Sequence, residues 1–176
     1  MPALLEMCRP GDYSPSVLDI DLAALKDQGL ECLMLDLDNT LLPWQSSVVP
    51  EPVRQWVERA KDLGMRLAIV SNTHNPKRLS AIASELGVAS IARALKPRRR
   101  GFLVAASMIG CRASNTAVVG DQILTDILGG NLAGMRTILV RPMHRREFVG
   151  TKVSRLLEML ILAALGRRAK SGTKCG

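Results

Sequence analysis

Apolar residues fall into two kinds of run along this chain, and the two kinds alternate. Short, largely apolar blocks at Cys32–Leu37, Arg66–Val70, Thr116–Val119 and Thr137–Val140 read as strands buried on both faces of a parallel sheet. A weaker block, Val88 to Leu95, reads as a short further strand leading into Lys96-Pro97. Between the blocks, apolar residues recur at helical spacing. Val53, Trp56, Val57, Ala60 and Leu63 follow Pro52 and stop at Gly64, and Leu79, Ile82, Ala83 and Leu86 follow Pro76 and stop at Gly87. Residues 98–110, ending at Gly110, and about Leu124 to Ala133 complete the set. This alternation predicts right-handed crossovers and an α/β fold, doubly wound around a central parallel sheet.

Residues 1–31 read as a lead-in segment. Ser14-Pro15 offers a helix start, and a short helix is expected from about Asp21 to Gln28, closed by Gly29. No repeat or linker marks a second domain. We therefore expect one domain over residues 1–176, with a core at 32–140 and a C-terminal segment at 141–176.

The strand ends carry the chemistry. The first block runs into Asp36 and Asp38, which point the same way on an extended chain and so address one site. Two acids this close repel unless a cation lies between them or one keeps its proton. A hard cation such as Mg²⁺ takes one or two carboxylates and leaves room for a phosphate. The second block ends in Ser71-Asn72, Lys96 follows the weak block, and the next ends in Gly120-Asp121 with Asp126 five residues on. Each feature alone has an ordinary reading: an Asx turn, a turn cap, an exposed lysine, a strand-to-turn signal. Their order makes them informative together.

Asp36-Leu37-Asp38-Asn39-Thr40, then Ser71, Lys96 and Asp121 resemble, in that order, the four motifs of the haloacid dehalogenase (HAD) phosphatase superfamily. A phosphorelay receiver also uses acids, Thr and Lys, but it phosphorylates an Asp at the end of strand three, where this chain has Lys96. Leu35 to Leu41, Val70-Ser71-Asn72, Lys96-Pro97, Val119 to Gln122 and Thr125 to Asn131 narrow the resemblance to subfamily IIIA. There they resemble the YqeG-like proteins and the related phosphatidylglycerophosphate phosphatases.

That resemblance implies a HAD-like Rossmannoid three-layer sandwich. It implies Asp36 as nucleophile and Asp38 as general acid and base, whose backbone carbonyl also meets the metal. Ser71, Asn72 and Lys96 are then phosphate-binding. Asp36, Asp38 and Asp121 are metal ligands, with Thr40 and Asp126 in support behind them. Only about fifteen residues separate the first strand from its helix, and nothing is inserted after Leu95, so we expect a minimal cap or none. An open site suits large substrates.

The resulting expectation is a Mg²⁺-dependent phosphatase acting on phosphatidylglycerophosphate, an anionic phospholipid, at a membrane surface. The alternatives are a soluble phosphomonoesterase for a sugar, nucleotide or phosphoprotein, and a non-catalytic anion- or membrane-binding protein that kept the fold.

Charge sharpens this picture. The net charge is +8, and from Arg141 onward nine basic residues face only Glu147 and Glu158. An anionic partner fits, as does a solvated basic tail. At 3% aromatic residues, the chain has little to stack on bases, which argues against nucleic acid. Val153 to Leu165 is apolar nearly all round and too short to span a bilayer. It suits an interfacial helix, a helix packed on the sheet, or a partner-binding helix. Arg98, Arg99 and Arg100 could meet a lipid phosphodiester or form an exposed helix start. Cys8, Cys32, Cys111 and Cys175 are scattered, which points away from zinc and from disulfides. With no secretory leader seen, the expectation is a reduced, cytoplasmic setting with peripheral membrane contact.

Overall fold

The computed structural model describes residues 2–143, so the apolar stretch 153–165 and all but the first residues of the basic segment lie outside the described residues. Six strands, β1 (Asp12–Ser14), β2 (Cys32–Leu35), β3 (Arg66–Val70), β4 (Ala89–Ile91), β5 (Thr116–Gly120) and β6 (Arg136–Val140), form one sheet in the order β1-β6-β5-β2-β3-β4. Every neighbouring pair is parallel. The predicted blocks become these strands because an uncharged run fits a place covered on both sides.

Alternation along the strands sorts side chains into two layers. Leu33, Leu35, Leu67, Ile69 and Val119 pack with Val53, Trp56 and Val57 of α3 (Glu51–Asp62) and Leu79, Ile82 and Leu86 of α4 (Pro76–Leu86). Met34, Ala68, Val70 and Val118 face the other way, onto Phe102, Ala105 and Ala106 of α5 (Arg99–Met108). The molecule is thus the three-layer α/β sandwich expected. From β2 the chain moves outward to β3 and β4, then crosses back to β5. The carboxyl ends of β2 and β5 therefore flank the point where strand order reverses, where such sheets bind ligands. Among the described residues no cap domain covers that point: residues 36–50 link β2 directly to α3, and residues 92–98 link β4 to α5.

The N-terminal segment is more than a lead-in. β1 pairs with β6 in the register Asp12↔Ile138 to Ser14↔Val140, closing the sheet edge. Asn131 Nδ2 donates to the carbonyls of Met7 (2.7 Å) and Arg9 (2.9 Å), and the Gly11 amide donates to Thr137 Oγ1 (3.1 Å). Thr137 in turn donates to Asn131 Oδ1 (3.0 Å). Asn131, the last residue of the Thr125 to Asn131 block, thus ties this segment to the core. Helix α1 (Pro2–Met7) precedes β1, and a helix α2 (Leu22–Asp27) forms as expected, capped by Asp21. No helix starts at Ser14-Pro15; Ser16 instead caps a single 3₁₀ turn, Val17–Asp19.

Two further expectations change. The helix expected from Leu124 splits into a wide π-type turn, Ile123–Ile127, followed by a short α6 (Leu128–Leu132). Cys32 and Cys111, read as unpaired, form a disulfide with Cα atoms 6.4 Å apart. A separation of 79 residues hid the pair. They meet because Cys32 begins β2 on the face that α5 covers, and Cys111 follows the end of α5. Among the described residues, no helix is long and apolar enough to cross a membrane.

Candidate active site

At the end of β2 the chain keeps one more ladder bond, from the Asp36 amide to the Val119 carbonyl (2.9 Å). It then turns sharply. Asn39 takes φ 65°, its amide donates to the Leu42 carbonyl (2.7 Å), and the amides of Leu41 and Leu42 both donate to Leu37. Asn is among the few residues that tolerate this conformation. The turn buries Leu37, Leu41 and Leu42 and leaves Asp36 and Asp38 at the edge of a cleft of about 690 Å³.

Lys96 is the centre of the charge cluster. Its ammonium donates to Asp36 Oδ1 (2.5 Å) and Asp126 Oδ1 (2.6 Å), and its side chain is only 3% exposed. Burial opposes a charge on Lys96, but Asp126 and then Asp36 outweigh it, so its pKa lies above the usual lysine range. Burial pushes the Asp36 carboxyl up to about 6; Lys96 opposes that rise, and Asp126 and Asp38 add to it. Asn72 holds the Lys96 backbone in a reciprocal pair, accepting from its amide (2.8 Å) and donating to its carbonyl (3.1 Å). The Lys96–Pro97 peptide is cis.

Asp126 reaches this cluster because the π-type turn folds it back over Gly120. A Cβ at position 120 would collide with the Asp126 carboxylate, so glycine is required there. Asp126 Oδ2 also accepts from the Gln122 amide (3.2 Å). Asp36, Asp121 and Asp126 each bring a carboxylate oxygen within 4.8 Å of the others. Three carboxylates around one ammonium leave a net negative, all-oxygen donor set, the kind a hard divalent cation prefers.

Asp38 points elsewhere. Its carboxylate accepts two bonds from Arg78, Nη2 to Oδ1 (2.7 Å) and Nη1 to Oδ2 (3.1 Å), and one from the Gln45 amide (2.8 Å). Arg78 also donates through Nε to the Ser46 carbonyl (2.8 Å) and is 8% exposed. Ser71 is buried at the end of β3, with its hydroxyl accepting from the Thr73 amide (3.1 Å). Thr40 is buried beneath the turn, and its hydroxyl makes no hydrogen bond among the described residues.

The structure thus gathers Asp36, Lys96, Asp121 and Asp126 into one cluster. Ser71, Asn72 and Asp38 line the same cleft, and Thr40 is buried outside its lining. Arg78 was not anticipated. A single arginine in the first turn of an amphipathic helix carries no sequence signal, and its partner lies 40 residues away.

Comparison with known proteins agrees with this geometry. Residues 94–144 match the family model described as HAD-hydrolase-like. The chain is 34% identical over 159 residues to the probable phosphatase YqeG of Bacillus subtilis, covering 90% of this chain and 92% of that protein. It is 32% identical over 165 residues to phosphatidylglycerophosphate phosphatase 1 of Arabidopsis thaliana, covering 88% of this chain but 46% of the longer plant protein. A solved deoxy-D-mannose-octulosonate 8-phosphate phosphatase of Haemophilus influenzae shares the fold, with a TM-score of 0.52 at 16% identity over 79% of this chain and 91% of that one. The chain belongs to the HAD-like hydrolases. Within that class it is a phosphatase, a phosphoric monoester hydrolase of the kind represented by the Bacillus protein.

Proposed function

We propose that this phosphatase removes the terminal phosphate of phosphatidylglycerophosphate at a membrane surface, using Mg²⁺ and a phosphoryl group carried on Asp36. The observation that carries this reading is the convergence of Asp36, Lys96, Asp121 and Asp126 in a cleft that, among the described residues, no cap domain covers. Asp36 attacks phosphorus with a carboxylate oxygen. A new O–P bond forms as the bond to the leaving alcohol breaks, which splits one hard displacement into two easier ones. Asp38, whose carboxylate accepts from Arg78 in the resting site, would take up a proton as the substrate enters, give it to the departing oxygen, and then take one from the water that hydrolyses the aspartyl-phosphate. Lys96 balances charge on Asp36 and on the transferring group. Ser71 presents its hydroxyl to the phosphate oxygens, while Asn72 holds the Lys96 backbone in place. Asp36, Asp121 and Asp126, with the Asp38 carbonyl, would hold Mg²⁺, which when bound neutralises phosphate charge. Thr40 supports the turn that presents the two acids.

The lipid substrate is supported by the names of two relatives, the plant enzyme above and a chloroplastic phosphatidylglycerophosphate phosphatase 1 of Chlamydomonas reinhardtii that is 33% identical over 82% of this chain. The uncapped cleft and the basic C-terminal sequence agree with it. The test uses purified full-length protein on phosphatidylglycerophosphate in anionic vesicles, with Mg²⁺ or with chelator, beside a panel of soluble phosphate esters. Magnesium-dependent phosphate release from the lipid is expected. High turnover of soluble esters with none of the lipid would establish the soluble reading instead.

A further inference from the structure

Large apolar side chains stand exposed on both sides of the cleft mouth. On one side Trp44 is 41% exposed and Val48 76%, in the loop whose Trp44, Gln45 and Ser47 line the cleft. On the other side Leu95 is 60% exposed, one residue before the buried Lys96. It borders an adjoining hollow with Arg93, Arg98 and His74, and that hollow shares Asn72, His74 and Lys96 with the cleft. Arg93 and Leu95 both take positive φ, 50° and 57°. Neither residue type favours that conformation, so the backbone holds them outward at a cost.

Apolar side chains flanked by arginines form the pattern of a surface that sits in the headgroup region of an anionic bilayer. Trp and Leu enter the acyl boundary, and the guanidinium groups meet lipid phosphates. Arg99 and Arg100, exposed at the start of α5, extend the basic side. Three arginines at this helix N-terminus oppose its dipole, and an anionic surface relieves that arrangement. We propose that the cleft mouth is itself the membrane-docking face. The Trp44–Val48 loop and the Arg93–Arg98 loop would straddle the cleft and bring its opening against an anionic bilayer. The proposal deepens the phosphatidylglycerophosphate reading and rests on it for the identity of the partner. It is distinct from docking through the C-terminal segment alone.

The chain's two tryptophans separate these cases. Trp56 is fully buried and Trp44 is at the mouth, so a quencher in the bilayer reads Trp44. The full chain is titrated with phosphatidylglycerol vesicles carrying brominated acyl chains, and with zwitterionic phosphatidylcholine vesicles of the same kind. Phosphate release from phosphatidylglycerophosphate is measured in parallel. Docking by the mouth predicts quenching and a blue shift on the anionic vesicles, at least tenfold weaker binding on the zwitterionic ones, and loss of the quench in Trp44→Phe. It also predicts that the pair Leu95→Ser and Arg93→Ser weakens vesicle binding at least tenfold. Co-sedimentation without quenching, no binding, or quenching equal on both lipids would overturn it. Quenching without lipid hydrolysis would leave the docking face standing and remove the substrate reading, so the two failures are distinguishable.

Discussion

At their amino ends β2, β3 and β5 are tied together by links that touch no ligand. Cys32 is bonded to Cys111, Asn115 donates to Glu31 (2.9 Å), and Arg66 reaches the carbonyl of Gly110 (2.7 Å). At the carboxyl end of the sheet, about one strand length away, Asp36 after β2, Lys96 after β4, and Asp121 and Asp126 after β5 bring three carboxylates and an ammonium together in or beside the buried layer. One end gains stability from cross-links and ordinary pairs. The other holds carboxylates that repel each other, an arrangement that weakens a fold and is kept where chemistry needs it. Substitutions at the two ends should therefore separate: loss of activity at one, loss of stability at the other.

The largest effect is expected at the carboxyl end. Asp36→Asn removes the oxygen proposed to attack phosphorus and should lower kcat about ten-thousandfold while the protein stays folded, checked by steady-state phosphate release alongside circular dichroism. The mirror image is Cys111→Ser. It should cost about 2–4 kcal/mol in denaturant unfolding, with kcat within about twofold of the parent. The unsubstituted protein should show the same loss on addition of a reductant. Next comes Gly120→Ala, which pushes the Asp126 carboxylate off Lys96. Activity should fall about a hundredfold, as expected for a displacement of roughly 1 Å in a catalytic group. The loss should appear with intact secondary structure.

Arg78→Ala should be milder and selective. Without the two bonds to Asp38, esters with alkyl leaving groups should lose about ten- to a hundredfold in kcat. An aryl phosphate, whose leaving group needs no proton, should lose less, and Arg78→Lys should recover part of the loss. Equal losses on both esters would reduce Arg78 to a structural brace.

The smallest effect concerns pH. The pKa of Asp36 is raised in the folded chain from 3.8 to about 6, so its contribution to stability is present below pH 3.8 and is lost as pH rises through about 6. Lys96 is also raised, but from 10.5, so its contribution does not change in that window. In chelator, urea titrations should show the parent losing ~1–3 kcal/mol relative to Asp36→Asn between pH 4 and pH 7. Added Mg²⁺ should restore it.

What the sequence reveals follows the same division. Buried strands announce themselves by uncharged blocks, and glycines mark where α3, α4 and α5 end. The acids and Lys96 are legible because the family resemblance orders them. The three-residue β1 is not legible: Asp12-Tyr13-Ser14 has no apolar pattern, and its place depends on Asn131 and Thr137 far along the chain. The disulfide and the Arg78–Asp38 pair are contacts across 79 and 40 residues between side chains with no local signature. The place of Asp126 in the cluster did leave a trace, the glycine before Asp121. Its meaning depends on a π-type turn that the apolar spacing reads as plain helix.

The most direct test is to trap the covalent intermediate. Full-length protein is mixed with phosphatidylglycerophosphate and Mg²⁺, quenched in acid within the first turnover, and mapped by peptide mass spectrometry. A phosphoryl group on Asp36, absent from Asp36→Asn, is the predicted result. Turnover with no adduct on Asp36, or undiminished turnover by Asp36→Asn, would contradict it.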